Sequence, residues 1–360
     1  MESFTHHMIS TLLKLSRHKL VDYLDTDLAD KTDKLMNIVI TGSVAFDYLM
    51  VFPGYFREHI LLERLDALSL SFLVESMVRL RGGVGPNISY TLALLGEKPR
   101  LWATVGEDFE EYRAWLESKG VQTEGARVIP GEFTASFFVN TDRANSQIAS
   151  FYPGAMAYAA QHSLHNLPGE RPDLVVISPN DPAAMNLYVM ECQEMGIPYI
   201  YDPSQQVVRL SAEDLRRGIL GAAALFVNDY EFSLIQKATG LDAIKILQQS
   251  AYAPNAFITV TLGARGADVY TLAQIHNIPV VQPQRIVDPT GVGDAFRGGF
   301  ITGYGHNFSL LTCGRMGSLA AAYCIEQRGP QGHSYTPAEF VTRFREVFDD
   351  QGELDGLVSK

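Results

Sequence analysis

The chain has 360 residues, of which 46% are hydrophobic and 19% charged, a composition typical of a globular protein with a substantial core rather than of a disordered chain. Its 29 Lys and Arg residues against 41 Asp and Glu residues give a net charge of −12, which argues against non-specific binding to nucleic acid or to an anionic membrane. An anionic ligand would therefore be held by backbone N–H groups, helix N-termini and metal rather than by a basic surface.

The first 36 residues differ from the rest of the chain. They contain three histidines, several charges and leucines at loosely helical spacing. We expect residues 1–36 to be a dispensable extension; the alternative is a helix that docks on the body of the protein or on a partner. The segment lacks the apolar region and cleavage site of a signal peptide. No apolar run in the chain reaches the roughly 18 to 20 residues that span a bilayer.

The three cysteines, at positions 192, 313 and 324, are too widely spaced to form a metal-binding or disulfide pattern. Their spacing favours a reducing compartment. Together with the N-terminal sequence it predicts a cytoplasmic protein.

From residue 37 onward, short apolar runs rich in β-branched residues alternate with segments of helical period. Near-continuous apolar runs are typical of parallel strands covered on both faces, and strand–helix–strand alternation implies right-handed crossovers. An α/β fold with a mainly parallel sheet is therefore predicted. The clearest predicted strands are Ile38–Thr41, Leu174–Ser178, Tyr199–Asp202, Ala224–Asn228 and Ala256–Thr261, with helices such as Pro182–Met195 and Glu231–Thr239 between them.

Two stretches interrupt this alternation, at about 48–80 and 135–156. Both are rich in aromatic and strand-forming residues, and segments Ser136–Val139 and Gln147–Tyr152 alternate. We interpret them as a small β-structured lid inserted into the main domain; the alternative is a set of ordinary surface hairpins.

Two turn motifs occur early in the chain. The segment Gly42–Asp47 follows the first strand, and ligands of open α/β sheets bind at the carboxyl ends of strands. A carboxylate there, Asp47, can hold two vicinal hydroxyls; the alternative is a solvated loop residue. The second motif is Arg81-Gly82-Gly83-Val84-Gly85-Pro86-Asn87, in which paired glycines permit positive φ and Pro86 can begin a helix. Alone it is a common Gly-rich turn.

Two further motifs follow predicted strands. Asn228-Asp229-Tyr230-Glu231 combines a helix-capping residue with a carboxylate, and Thr261-Leu262-Gly263-Ala264-Arg265-Gly266 is a Gly-rich turn. Each pattern is common when taken alone.

The strongest motif covers residues 288–296, Asp-Pro-Thr-Gly-Val-Gly-Asp-Ala-Phe, after the strand-like segment Ile278–Val281. Glycines just before a helix allow backbone N–H groups to converge on an anion. Asp294 at the helix start could then accept a proton from a hydroxyl group. The alternative is an ordinary N-cap in which Asp satisfies backbone donors.

Residues 288–296 resemble the second signature of ribokinase-like (phosphofructokinase-B) kinases, Asp-Thr-x-Gly-Ala-Gly-Asp-x-Phe, and residues 82–87 resemble their first, Gly-Gly-x-x-x-Asn. The resemblance extends over about residues 37–348 and is closer to adenosine and nucleoside kinases than to ribokinase. It implies a three-layer α/β/α sandwich with a β-lid, a kinase domain over 37–350 and a C-terminal tail at 351–360. No Walker A or protein-kinase motif occurs.

The resemblance also implies roles for particular residues. Asp294 is the catalytic base, and the turn at Gly291, Val292 and Gly293 forms an anion hole. Substrate hydroxyls are held by Asp47, Gly83 and Asn87. ATP is approached by Asn228, Thr261, Gly263 and Gly266. Glu231 orders water around Mg²⁺, and the segment with Asp288 and Thr290 can hold a monovalent cation such as K⁺. For Arg297, contact with a phosphate and pairing with a surface acid are equally reasonable.

Four lid aromatics suggest the substrate, because a purine needs stacking partners whereas a free sugar needs mainly hydroxyl partners. They are Phe137, Phe138, Phe151 and Tyr152. We expect transfer of the ATP γ-phosphoryl group to the 5′-hydroxyl of a ribonucleoside, adenosine first. Alternatives are a kinase for a free sugar such as ribose or fructose, and a non-catalytic nucleoside or sugar sensor. The resemblance is compatible with a monomer or a lid-mediated homodimer.

Overall fold

The computed structural model of the chain describes residues 35–60 and 69–358. The predicted N-terminal extension falls almost entirely on residues 1–34, which lie outside the described residues, as do 61–68 and 359–360. Within the described ranges, every helix is too short or too polar to span a membrane.

The described residues form thirteen strands and ten α-helices. In chain order the strands are β1 (Ile38–Thr41), β2 (Ala45–Val51), β3 (Ser76–Gly82), β4 (Arg100–Val105), β5 (Ala126–Val128), β6 (Ala135–Thr141), β7 (Gln147–Tyr152), β8 (Leu174–Ile177), β9 (Tyr199–Tyr201), β10 (Ala224–Asn228), β11 (Phe257–Thr261), β12 (Ala267–Tyr270) and β13 (Ile275–Ile278). The helices are α1 (Val84–Leu94), α2 (Glu110–Ser118), α3 (Pro182–Met195), α4 (Ala212–Leu220), α5 (Asp229–Thr239), α6 (Ala243–Gln249), α7 (Val292–Gly305), α8 (Leu310–Ile325), α9 (Pro337–Val347) and α10 (Asp355–Val358).

The main sheet has the strand order β13-β12-β11-β10-β9-β8-β1-β4-β5. Strands β11 to β5 along this order pair in parallel, and β12 and β13 add an antiparallel edge. The five predicted strands are confirmed, with ends that differ by at most one residue.

Alternate residues of the central strands pack against helices on opposite faces of the main sheet. On β8, Val175 and Ile177 share a core cluster with residues of α3, whereas Leu174 and Val176 pack in a second cluster with residues of α1 and α7. Burial on both faces explains why these strands are continuous apolar runs rather than alternating ones. The predicted α/β architecture, a mainly parallel sheet between two helical layers, is confirmed.

The prediction of a strand at Ile278–Val281 was wrong. Strand β13 covers Ile275–Ile278 and ends where Pro279 begins. Proline has no amide hydrogen to donate to the sheet, so it ends the ladder there. Residues 279–290 contain neither helix nor strand, and this long connection leads to α7.

A second, four-stranded sheet has the order β3-β2-β6-β7 and is formed by the two stretches that interrupt the alternation. Its first strand begins at Ala45, so Asp47 lies on a strand and not in the loop after β1. Strand β2 pairs antiparallel with β3 and parallel with β6, and β6 pairs antiparallel with β7. We refer to these four strands as the small sheet.

Helices α1 and α7 approach each other closely, and this contact positions the candidate site. A Cβ atom at Gly298 of α7 would lie 2.5 Å from the Cβ of Thr91 of α1, so only glycine permits the approach. Asn87 and Asp294 each precede these residues by four positions, about one helical turn. The close packing therefore brings Asn87 and Asp294 together.

Candidate active site

The predicted site residues gather where the parallel strands of the main sheet end. Asn228 and Thr261 are the last residues of β10 and β11, which are neighbours in the sheet, and Asp202 directly follows β9. Asp294 lies at the N-terminus of α7. Its negative charge helps to raise the pKa of Arg297, and the negative charge of Asp202 helps to raise the pKa of Asp294. This edge of an open α/β sheet is where ligands bind.

Asp294 lies in the first turn of α7 and is only partly exposed. Its Oδ2 accepts a hydrogen bond from Asn87 Nδ2 at 2.8 Å. Burial raises the pKa of Asp294 to about 7, although the positive charge of Arg297 and the bond from Asn87 oppose the rise. A carboxylate with a pKa near neutrality is suited to accept a proton from a hydroxyl.

The turn before α7 requires glycine at position 291. Gly291 has φ of 79°, and a Cβ atom there would lie 2.3 Å from the Cβ of Pro330. Val292, Gly293 and Asp294 then form the first turn of α7, where backbone N–H groups have no partner within the helix. These donors and the helix dipole together favour an anion at this point.

Arg297 pairs with a buried acid, and not with the surface acid that was one of its two expected partners. Its Nη2 donates to Asp202 Oδ1 at 2.7 Å, and Nε pairs with the other carboxylate oxygen. Both side chains are buried, so the partner is not a surface acid. Arg297 Nη1 also donates to the Gly293 carbonyl at 3.0 Å, which ties the turn to the end of β9.

Asp202 was missed as a site residue, although it ended a predicted strand and precedes a proline. Burial raises its pKa and Arg297 opposes that rise. Only the contact with Arg297, 95 positions away in sequence, reveals its place.

The face of the small sheet that carries Asp47 is defined by register. Asp47 pairs with Leu80 on β3 and with Phe137 on β6, and Phe137 pairs with Phe151 on β7. Cross-strand partners point to the same face of a sheet. A Cβ atom at Gly329 would lie 3.3 Å from the Leu80 side chain, and the Gly329 N–H donates to Asp288 at 2.9 Å. Gly329 therefore lies between Leu80 of the small sheet and Asp288.

Burial raises the pKa of Asp47 to about 6, and the negative charge of Asp288 adds to the rise. Asp47 is therefore mostly ionised at neutral pH, and its two oxygens can accept hydrogen bonds from two hydroxyl groups. A Cβ atom at Gly82 would lie 2.6 Å from Asp47 Oδ2, so a side chain at position 82 would displace the carboxylate.

The other two lid aromatics belong to the opposite face. Phe138 pairs with Tyr48, and their rings stack at a centroid distance of 4.7 Å. The hydroxyl of Tyr152 donates to Glu132 at 2.7 Å. Two of the four aromatics thus share a face with Asp47, and two do not.

Asn87 and Gly83 lie at the start of α1. Gly83 has φ of 93°, and a Cβ atom would lie 2.4 Å from the Ser43 carbonyl oxygen. Asn87 donates to Asp294 and accepts a bond from Gln331 Nε2 at 2.9 Å. The contact of Gln331 with Asn87 was not predicted, because the resemblance placed residues 329–333 beside the adenine and the two residues are 244 positions apart in sequence.

The predicted ATP-binding residues Gly263, Gly266 and Thr261 have different surroundings. Gly263 has φ of 59° with open space around its Cβ position, which would permit close approach of a ligand. At Gly266, a Cβ atom would lie 2.0 Å from the Ile278 carbonyl oxygen, so packing against β13 explains that glycine. The Thr261 hydroxyl faces the Val227 carbonyl at 3.5 Å.

Asn228 and Glu231 form a capping box at the start of α5, in which each side chain accepts from the other residue's backbone N–H. Glu231 Oε1 also accepts from the Ser204 hydroxyl at 3.2 Å. Within residues 35–60 and 69–358, no group of three or more His, Cys, Asp or Glu side chains is arranged to hold a metal ion. Mg²⁺ prefers oxygen ligands and keeps several waters, which suits a carboxylate that acts through water.

Asp288 is engaged by backbone donors. Its two carboxylate oxygens accept from the N–H groups of Thr290 and Gly329, each at 2.9 Å. Burial raises the pKa of Asp288, but the side chain of Thr290, these two N–H groups and the positive charge of Arg328 outweigh the effect and hold the pKa below its usual value.

The site thus combines a carboxylate with a pKa near neutrality, a helix N-terminus preceded by a glycine turn, and a second carboxylate on the small sheet. A hydroxyl positioned by Asp47 could lose its proton to Asp294 while its oxygen attacks a phosphoryl group at the N-terminus of α7. Phosphoryl transfer depends mainly on such positioning and charge stabilisation.

Residues 43–337 match the pfkB family carbohydrate kinase profile. The nucleoside kinase of Methanothermobacter thermautotrophicus is 29% identical over 310 residues, 86% of this chain and 95% of that protein. The cytidine kinase of Thermococcus kodakarensis is 25% identical over 303 residues, 82% of this chain and 98% of that protein.

A solved structure of the Burkholderia thailandensis nucleoside kinase in complex with inosine is 36% identical, with a TM-score of 0.75, and covers 86% of this chain and 98% of that one. A second structure of the same protein, in complex with ADP-inosine, matches with a TM-score of 0.73 over 86% of this chain and 96% of that one. The ribokinase-like fold expected from the sequence is confirmed. The chain belongs to the pfkB family of carbohydrate kinases and is a phosphotransferase with an alcohol group as acceptor.

Proposed function

We propose that the protein transfers the γ-phosphoryl group of ATP to the 5′-hydroxyl of a ribonucleoside, with adenosine as the first candidate. The observation that carries this proposal is the Asp294 carboxylate, bonded to Asn87 at 2.8 Å and located in the first turn of α7 beside Gly291. A proton acceptor next to an anion-binding helix end meets the two requirements of phosphoryl transfer to a hydroxyl.

In this mechanism Asp294 takes the proton of the acceptor hydroxyl while the hydroxyl oxygen attacks the γ-phosphorus of ATP. The bond from the γ-phosphorus to the bridging oxygen breaks, and ADP leaves with that oxygen. The turn at Gly291, Val292 and Gly293 stabilises the charge on the transferring group through backbone N–H donors. Mg²⁺ bound to the ATP phosphates would neutralise part of their charge. Glu231 would orient the water around the ion.

The acceptor is held from the small sheet and from the start of α1. Asp47 accepts hydrogen bonds from two hydroxyls of the sugar, and Gly83 allows the backbone to approach it. Phe137 and Phe151 lie on the Asp47 face and supply apolar surface for a nucleobase. The nucleoside kinases among the relatives support a nucleoside over a free sugar.

The donor is held at the ends of β10 and β11, where Asn228, Thr261, Gly263 and Gly266 lie. The segment of Asp288 and Thr290 is proposed to bind a monovalent cation such as K⁺. The small sheet acts as a lid that excludes water from the site and so limits ATP hydrolysis.

The test is ADP release with Mg·ATP and a panel of acceptors: adenosine, inosine, guanosine, cytidine, ribose and fructose. The ³¹P spectrum of the product identifies the phosphorylated position, because a 5′-phosphate couples to two protons. 5′-Deoxyadenosine is the matched control, since it keeps the base and the vicinal hydroxyls but has no acceptor oxygen. Turnover with a nucleoside and none with 5′-deoxyadenosine supports the proposal.

Asp294→Asn in the same assay should lower kcat by roughly 10² or more while nucleoside binding survives. An unchanged kcat would exclude Asp294 as the base. Turnover with free sugars alone would reassign Phe137 and Phe151 to packing. Saturable nucleoside binding without any turnover would indicate a sensor.

A further inference from the structure

Four side chains form an unbroken chain of hydrogen bonds from helix α2 to the candidate base. Trp115 Nε1 donates to Gln331 Oε1 at 3.0 Å, Gln331 Nε2 donates to Asn87 Oδ1 at 2.9 Å, and Asn87 Nδ2 donates to Asp294 Oδ2 at 2.8 Å. Gln331 and Asn87 are buried, so water does not compete freely for these bonds. The residues come from four separate parts of the sequence.

The direction of every bond in this chain follows from groups whose hydrogen-bonding role cannot change. An indole N–H can only donate, so Gln331 must turn its oxygen toward Trp115. The Gly82 carbonyl can only accept, and the Tyr112 hydroxyl donates to it at 2.9 Å. The Tyr112 oxygen therefore accepts from Gln331 Nε2, which also faces Asn87.

The direction of these hydrogen bonds also fixes how Asn87 meets Asp294, the candidate base. Because Gln331 presents N–H to Asn87, the Asn87 oxygen must face Gln331 and its amide nitrogen must face Asp294. A donated hydrogen bond favours the ionised form of a carboxylate. It also occupies Oδ2, which leaves Oδ1 to receive the proton of the acceptor hydroxyl.

The reverse orientation of the Asn87 and Gln331 amides would require Asp294 to be protonated. If both amides rotated, Asn87 would turn its oxygen toward Asp294, and only a protonated carboxyl could donate to it. Gln331 would then direct its own N–H groups at the N–H of Trp115. The Trp115 indole therefore disfavours the reversed arrangement, in which Asp294 is protonated and cannot accept a proton.

We propose that Trp115 and Gln331 are positioning residues of the phosphoryl-transfer reaction, which orient the Asn87 amide so that it always donates to Asp294. The proposal rests on the function proposed above, in which Asp294 is the base.

The charged and titratable groups around Asp294 come from several elements. Arg297 on α7 and Asp202 after β9 act on it with opposite signs. Tyr112 on α2 and Cys324 on α8 also face it, and both have pKa values raised above their usual range, mainly by burial. Tyr112 supports the same direction of the Asn87 amide through Gln331, because the Tyr112 oxygen accepts from Gln331 Nε2. Arg297, Asp202 and Cys324 hydrogen-bond to other groups and do not set the direction of the amide.

The test uses Trp115→Phe, which removes the N–H and keeps an aromatic ring for the contacts with Arg81 and Lys119. The matched control is Trp102→Phe, because Trp102 is the other tryptophan of the chain and donates to the His162 carbonyl at 3.0 Å, outside the site. The titration of the Asp294 carboxyl is followed by ¹³C NMR without substrate and assigned by its loss in Asp294→Asn.

We expect the midpoint of Asp294 to rise by about half a pH unit or more in Trp115→Phe, roughly a threefold or greater gain in proton affinity, and to stay unchanged in Trp102→Phe. The acidic limb of kcat/KM for the nucleoside should move by the same amount, with activity above the limb largely kept. A structural role for Trp115 would lower activity at all pH values without moving the midpoint.

Gln331→Met is the second variant, because it keeps the side-chain length and removes both polar atoms; it should shift the midpoint in the same direction. Midpoints equal to that of the wild-type protein in both variants would overturn the proposal. Absence of wild-type turnover would contradict the proposed function instead, and the NMR titration would still decide how Asn87 is oriented.

Discussion

The guanidinium of Arg297 and the carboxylate of Asp202 form a buried ion pair next to the turn that begins α7, with side-chain exposures of only 9% and 1%. The pair joins α7 to the end of β9, and Arg297 also bonds to the Gly293 carbonyl. Because a buried charge without its partner is very unfavourable, this contact holds the turn in place only while both members are present.

Arg297→Met should therefore lower the free energy of unfolding by about 3–5 kcal/mol, since it leaves Asp202 buried and unpaired. Adding Asp202→Leu should restore much of that stability, because an apolar pair of similar size avoids the buried charge. The kcat of the double variant should stay low, because the Gly293 carbonyl has lost its hydrogen bond from Arg297 and Asp294 has lost the neighbouring positive charge. Urea unfolding and initial rates measure both effects; a single variant as stable as the wild-type protein would contradict the prediction.

Asp294→Asn should stabilise the protein, and more so as the pH rises. Burial raises the pKa of Asp294 from 3.8 to about 7 in the folded state, so its contribution to stability is fully present below the unfolded pKa and is lost as the pH rises through about 7. The neutral amide avoids that loss, which amounts to at most about 4 kcal/mol at pH 8. Urea unfolding of both proteins at pH 4.5 and pH 8 measures the difference, and a gap that shrinks with pH would contradict the raised pKa.

Gly291→Ala should be more destabilising than Gly131→Ala. The two glycines have almost the same φ, 79° and 76°, so the backbone strain of an alanine is similar. At Gly131 nothing lies within 4 Å of the Cβ position, whereas at Gly291 the Cβ of Pro330 is 2.3 Å away. Thermal unfolding compares the two variants, and equal losses would show that the turn can shift away from Pro330.

Phe137→Ala should raise KM for the nucleoside severalfold, because Phe137 shares the Asp47 face of the small sheet. Phe138→Ala is the matched control: it removes the same ring from the next residue, but from the opposite face, where it stacks on Tyr48. Steady-state kinetics with the best acceptor of the panel measures both. Similar KM values for the two variants would show that the Asp47 face does not bind the base.

Local properties of the sequence were enough to predict the strands and the turns. The apolar runs at Ile38–Thr41 and Ala224–Asn228 coincide with β1 and β10, because residues buried on both sheet faces must be apolar wherever the rest of the fold lies. The glycine at position 291 was predictable for a similar reason, since a helix preceded by a residue with positive φ favours glycine.

Contacts between distant residues were decided by the tertiary structure alone. Asn87 and Asp294 are 207 positions apart, Asn87 and Gln331 are 244 apart, and Asp202 and Arg297 are 95 apart. A polar residue has the same local pattern whether it faces solvent or another buried group, so its partner depends on how helices and strands pack.

The sequence by itself determined the α/β alternation, the glycine-rich turns and the candidate base, because each depends on local periodicity, backbone freedom or a short motif. The tertiary structure decided which face of the small sheet carries Phe137, which acid pairs with Arg297, and that Gln331 and Trp115 orient Asn87. These relationships depend on strand register and on the close crossing of α1 and α7 at Gly298, and neither is encoded in any single segment of the chain.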